Sequence, residues 1–345
     1  MRHLHAALVA AVLAAGSLVV VSLGAQSAAP PNDPAPAGWK APRTSEGKPD
    51  LQGVWGNNSV TPMTRPKQWK DKTTLTDAEL NELKALAAAQ VDEGGDAIFG
   101  NFVQQLLDAK ERGKYDQASY DPTTGNYNQF WMAEREWDHR TSLIIDPPDG
   151  QFPPLTPEAE ALRAANPPRP RGTNGPEDRP LSERCISYGA PRTQSNYNSY
   201  VQIIQSKDTV VLLQEMIHDA RVVPMTSKPH LPAKIRQLHG DPRGRWDGDS
   251  LVVETTNYLN GFQGSTPDVK LTERYTRVSP DFINWEVTVE DPKTWTKPWT
   301  FMVRLKKTDG LIYEYACHEG NYSMTGILAG ARAEEAKAAG KNGRR

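Results

Sequence analysis

The sequence predicts a mainly β protein: an antiparallel meander forming a barrel or strongly curved sheet, with helices from the N-terminal half packed against it. Three observations carry this reading. Seven strand-length runs rich in Val, Thr, Trp and Tyr follow residue 200, bounded by Gly, Pro, Asp or Asn. Side-chain character inside several of them alternates with period two. Helical periodicity and helix start signals are confined to the segment before residue 200.

The elements follow in chain order. Arg2 precedes an Ala, Leu and Val stretch from Ala6 to Gly24, and small residues follow at Ala25, Ser27, Ala28 and Ala29. This is the pattern of an export leader, assigned to residues 1–29, with a Pro-rich tether over 30–49. The apolar run approaches the length that spans a bilayer, so an uncleaved anchor is the alternative; no stable span is expected once the leader is removed. Leu51 to Trp55 reads as a first strand, stopped by Pro62 and Pro66. Thr76-Asp-Ala-Glu79 matches a capping box, and Leu80, Leu83, Leu86 and Ala87 continue at helical spacing. A second helix is expected over Ala97–Arg112, and a short strand over Ser142–Asp146. A third helix starts at Thr156, with Pro157 in its first position. The Pro-, Arg- and Gly-rich residues 166–180 read as a surface loop. Residues 50–199 thus form a strand plus a helical and loop wrap, making one domain with the sheet of 200–330; 331–345 is a polar tail.

The seven runs are Val201–Gln205, Thr209–Val223, Ser250–Asn257, Leu271–Val278, Ile283–Glu290, Trp299–Leu305 and Leu311–Cys317. Ile283, Trp285, Val287 and Val289 share one face, and Asn284, Glu286, Thr288 and Glu290 the other. The polar faces either meet solvent or line a pocket inside a barrel.

Composition narrows the function. Basic residues number 40 and acidic residues 42, a balance that loss of Arg2 with the leader barely alters. A nucleic-acid partner usually demands a basic face, and none is expected here. Cleavage leaves about 315 residues, enough for a sizeable core. The two cysteines, Cys185 and Cys317, read first as a disulfide in an oxidising compartment, with two free buried thiols as the alternative. Closing so long a loop contributes on the order of 4 kcal/mol in the chain-entropy model. The chain carries no GxSxG elbow, P-loop, strand-linked GxGxxG or CxxCH.

The densest candidate site is Gln214-Glu-Met-Ile-His-Asp-Ala-Arg221. An apolar strand should not carry four ionisable groups unless they are paired or functional. Read as a strand, Glu215, Asp219 and Arg221 share one face while His218 points oppositely. Glu215 and His218 are then candidates for proton transfer and Arg221 for anion stabilisation. The structural alternative is an ion pair of Glu215 or Asp219 with Arg221. His239 and Trp246, in a turn-rich stretch, and Glu314 and His318, on the last expected strand, are candidate pocket residues. A metal held by His218, His230, His239 and Glu215 is conceivable, but the spacing matches no zinc motif, and the expectation is no metal and no cofactor. Tyr127, Phe130, Trp131 and Trp137, near His139 and Arg140, would form either an aromatic ligand wall or the core under the helices.

Four segments together carry a resemblance: Pro49–Trp55, Arg140–Gly150, Gly244–Asn257 and Thr296–Thr300. The chain resembles a large family of uncharacterised exported proteins of acidobacteria and proteobacteria, over nearly the whole of its mature length. The resemblance implies a shared fold and an extracytoplasmic location, periplasmic or secreted. Gly53-Val-Trp55 is also similar to the Gly-x-Trp opening of lipocalins, which favours a barrel.

The expected function is binding of a small organic molecule, with its transformation by cofactor-independent acid–base chemistry of lyase, isomerase or hydrolase type. The alternatives are a non-catalytic periplasmic binding protein and a structural envelope protein. Oligomeric state is not legible.

Overall fold

A computed structural model of the chain describes residues 35–92, 101–113, 134–167, 171–193 and 197–342. The leader, most of the tether's first part and the aromatic residues Tyr127, Phe130 and Trp131 lie outside the described residues.

The core is an antiparallel sheet of ten strands. They are β1 (Gly53–Gly56), β2 (Ile144–Asp146), β3 (Tyr200–Gln205), β4 (Thr209–Gln214), β5 (Ala220–Pro224), β6 (Asp241–Asp247), β7 (Ser250–Thr256), β8 (Lys270–Arg277), β9 (Phe282–Glu290) and β10 (Trp299–Thr308). The order is β5-β4-β3-β1-β10-β9-β8-β7-β6, with β2 pairing β10 off this path. The sheet curls until its two edges meet, Met225 bridging to Gly244 in the parallel sense. A Cβ on Gly244 would lie 2.5 Å from Met225 Sδ and 2.9 Å from Val223 Cγ1, so a larger residue would push these side chains aside where β5 approaches β6.

The alternation read in β9 holds. Ile283, Trp285, Val287 and Val289 face the barrel core, joined by Leu251, Val253, Leu271, Tyr275, Phe301, Val303 and Leu305 from neighbouring strands. The polar faces of β8 and β9 look outward, where Lys270 pairs with Glu290 at 2.9 Å. A pocket lined by those polar faces is therefore corrected: burying the apolar face leaves the polar one to solvent.

The helices are α1 (Asp77–Asp92), α2 (Phe102–Arg112), α3 (Pro157–Ala165) and α4 (Tyr322–Asn342). The capping box forms: Glu79 N–H donates to Thr76 Oγ1 (3.3 Å), and Thr76 N–H to Glu79 Oε2 (2.9 Å). Thr156 caps α3 by accepting from Ala159 N–H. Leu80, Leu83 and Ala87 pack with Phe102, Val103, Leu106 and Leu107 in a second cluster under α1 and α2. Trp137 packs there as well, edge-on to Phe102.

Four expectations change. Thr209–Val223 is not one strand but the hairpin β4–β5, turned at Glu215–Asp219. The turn-rich stretch at Asp241–Asp247 is strand β6, in register with β7 and joined to it through Gly248-Asp249. Leu311–Cys317 forms no strand: it runs as an arm over the surface, with Leu311 and Tyr313 exposed. The expected polar tail belongs largely to α4, since its Ala, Glu and Lys are strong helix formers.

Candidate functional site

At one end of the barrel lies a pocket enclosing about 430 Å³ of empty space, part of it continuous with solvent. Asn57, Arg192, Tyr200, Gln214, Arg221 and the rings of Tyr275 and Trp285 are among its lining residues.

Arg221 sits on the inward face of β5 and is almost completely buried. It donates from Nη1 and Nη2 to the two oxygens of Glu273 (3.0 and 2.5 Å), a two-pronged pair between the edge strand β5 and β8, which are not neighbours in the sheet. Thr255 Oγ1 accepts from Nη2 at 3.1 Å. Glu273 also accepts from Tyr275 O–H (2.8 Å) and Trp285 Nε1–H (3.2 Å), so its buried charge is fully engaged. The Glu273 carboxylate raises the Arg221 pKa against the opposing effect of burial, and burial pushes the Tyr275 hydroxyl well up. The expected partnership of Arg221 with Glu215 or Asp219 is thus replaced by Glu273, a residue the sequence reading did not single out. Its signal was available: Leu271, Glu273 and Tyr275 alternate inward on β8, and a carboxylate at a core position demands a partner.

The β4–β5 turn explains the other candidates. Ile217 and His218 both adopt left-handed backbone (φ 56° and 55°), which L-residues rarely do and β-branched ones least of all. Glu215 is buried behind Gln214; its carboxylate accepts from Tyr313 N–H of the arm at 3.5 Å and hydrogen-bonds Asn198. Burial pushes the Glu215 pKa above the ordinary glutamate range, against the pull of Tyr313 and Arg192. His218 projects to solvent, so the turn does not join Glu215, His218 and Arg221 into one constellation.

Asp219 is buried and holds the turn from the other side. It accepts from Ser187 O–H (3.0 Å) and Tyr188 N–H (2.9 Å), and lies 3.3 Å from His239 Nε2. Ser187 Oγ is also 2.9 Å from His239 Nε2 and accepts from Gly189 N–H. Serine, histidine and aspartate meet here, but not in the order of a nucleophilic triad. A triad sets the aspartate and the serine on opposite ring nitrogens, whereas here both face Nε2. The cluster is a clamp, and His239 serves it rather than the pocket wall.

The remaining candidates lie apart. Trp246, on β6, packs half-buried against the barrel core. Glu314 and His318 are exposed on the arm, because the strand that would have aligned them does not form. The disulfide Cys185–Cys317 does form and ties the arm to the Ser187 segment. His230 lies 3.2 Å from both Asp241 and Glu254, away from His218 and His239. Among the described residues no three His, Cys, Asp or Glu side chains form a metal-ligand group. His139 pairs with Asp77, and Arg140 with Asp138 and the Met302 carbonyl, so both tie down the wrap.

Two pocket residues beyond Arg221 were also missed. Arg192 donates to the carbonyls of Tyr197 (2.8 Å) and Asn198 and covers the Tyr188 ring at 4.9 Å. Burial lowers its pKa below the ordinary arginine value. Gln214 ends β4 with its Oε1 buried and without a hydrogen-bond partner, as are the Nε atoms of Arg192 and Arg221.

No protein-family model and no curated protein matches the chain. A mutant of the fluorescent protein UnaG is similar in structure at 14% identity, over 38% of this chain and 86% of that one, with a TM-score of 0.21. A likeness so slight carries no argument about fold or function.

Proposed function

We propose that the chain binds a small organic molecule in the pocket between Arg192 and the Arg221–Glu273 pair. The observation that carries this is convergence: of the buried polar atoms left without partners, Gln214 Oε1 and the Nε of Arg192 and Arg221 belong to residues of a single pocket. Such atoms destabilise a fold unless something pairs with them, and convergent polar groups in an aromatic-walled cleft are the usual make-up of a ligand site. A thermal-shift screen of small organic molecules tests it, with Val201→Trp filling the pocket wall. Hits should stabilise the wild type and lose their effect in the variant; hits that stabilise both equally would place binding elsewhere.

Glu215 supports a second reading, in which the bound molecule is transformed by acid–base chemistry without a cofactor. A carboxyl held toward its protonated form beside the pocket-lining Gln214 is suited to proton transfer. Any turnover should fall by about a hundredfold or more in Glu215→Gln, and unchanged turnover would refute the role.

Export belongs to the same proposal. The leader pattern supports it, and the Cys185–Cys317 bridge is consistent with an oxidising compartment. Among the described residues no helix is long and apolar enough to cross a membrane. Sequencing the N-terminus of protein recovered from outside the cytoplasm should give a start near residue 30; an intact Met1 would contradict cleavage.

A further inference from the structure

We infer that the ligand is a small aromatic monocarboxylate bearing a hydroxyl, its carboxylate held by Arg192 and its ring set against the wall of Tyr275 and Trp285. This rests on the binding reading above and names the ligand's class.

The two pocket arginines differ in what neutralises them. Arg221 is matched by Glu273 in a two-pronged pair. Arg192, among the described residues, has no carboxylate within ion-pair distance; its acceptors are two main-chain carbonyls. Its neighbours are already committed, Glu215 to Tyr313 N–H and Asn198, and Asp219 to Ser187, Tyr188 and His239. Those bonds and the Tyr188 ring fix the plane of the guanidinium, leaving a buried Nε–H to be satisfied. A carboxylate is the acceptor that suits a desolvated, orientationally fixed guanidinium best. Gln214 Oε1 calls for the opposite group, a donor, which a hydroxyl supplies. Tyr275 and Trp285, stacked with ring centroids 6.0 Å apart, and Leu212 and Leu305 give the space between an apolar character. The barrel behind is filled by side chains, which favours one compact ring over a long acyl chain.

Calorimetric titration of the full chain with 4-hydroxybenzoate and with its neutral amide, 4-hydroxybenzamide, tests the assignment. The acid should bind roughly tenfold to a hundredfold more tightly than the amide, the difference a charge-assisted hydrogen bond makes. Arg192→Met should erase that preference by weakening the acid far more than the amide, and Arg192→Lys, which keeps the charge, should retain part of it. A melting curve of each variant separates lost binding from lost fold. Equal affinity for acid and amide, or a preference that survives Arg192→Met, overturns the carboxylate assignment while leaving the pocket in place. Binding unaffected by Val201→Trp, or no binding of either probe, overturns it as well, and the thermal-shift screen then decides separately whether the pocket binds anything.

Discussion

The β6–β10 meander and the β4–β5 turn reach the same pocket from two sides. In the meander, cross-strand pairing runs along each strand, apolar side chains fill the interior and, Glu273 apart, pairs such as Lys270–Glu290 lie outside. In the turn, two non-glycine residues take left-handed backbone, a carboxyl is buried, and Ser187, His239 and the arm supply the contacts that keep it in place. The meander is held by its own repetition. The turn is held by long-range contacts, so its conformation reflects the whole fold rather than its local sequence. Irregularity over-determined in this way is common at functional sites, and here it adjoins the pocket.

The largest effect that would sharpen this contrast comes from the meander. Replacing Glu273 by Leu leaves Arg221 as a buried uncompensated charge, at an expected loss of about 3–5 kcal/mol in denaturant unfolding. Adding Arg221→Met should recover most of that loss, because the pair's two desolvation costs vanish together. A Glu273→Leu variant as stable as wild type would show that the pair is not the polar anchor of the barrel.

The next effect falls on the turn. Asp219→Ala strips acceptors from Ser187 and Tyr188, at about 1–3 kcal/mol, and hydrogen exchange should rise at the turn before it rises in β8 or β9. Uniform loosening of both regions would mean that the turn and meander unfold as one.

The smallest effect has the opposite sign. His218→Gly relieves a left-handed backbone at an exposed position and should leave stability unchanged or raise it by up to about 1 kcal/mol. A marked loss would mean that the imidazole makes a contact of its own.

The pH dependence separates the regions too. Because the Glu215 pKa is raised in the fold, the folded state holds its proton more tightly than the unfolded chain does. Stability therefore falls as pH climbs from the ordinary glutamate range through the raised value. Glu215→Gln removes that slope, so the two unfolding curves should lie closest at acid pH and separate toward neutral pH. Parallel curves across the range would contradict the shift.

How much of this was legible in sequence follows the same division. The strands β7 to β10 could be read because burial of one face imposes period two, as Ile283 to Glu290 displays. The helix starts at Thr76 and Thr156 could be read because capping is local chemistry. The β4–β5 break could not, since Ile217 and His218 carry none of the Gly or Asn signal that marks a left-handed turn. Strand β6 was masked by Asp241, Pro242 and Gly244, residues that suggest a loop and here serve a sheet edge and a close approach. The last expected strand failed in the other direction: alternating tyrosines at 313 and 315 gave a strand pattern, but no edge is there to pair with it. In the site, Glu215 and Arg221 drew notice as charges in an apolar run. Arg192 drew none and Gln214, though it opens that run, was given no role, because only the fold shows that their polar atoms are buried without partners.

Native mass spectrometry of the gently purified protein tests the central claim most directly. The account predicts a bound small molecule on the wild type that is absent from Val201→Trp at equal thermal stability. The same added mass on both proteins, or none on a wild type that stays unliganded through the small-molecule screen, would contradict it.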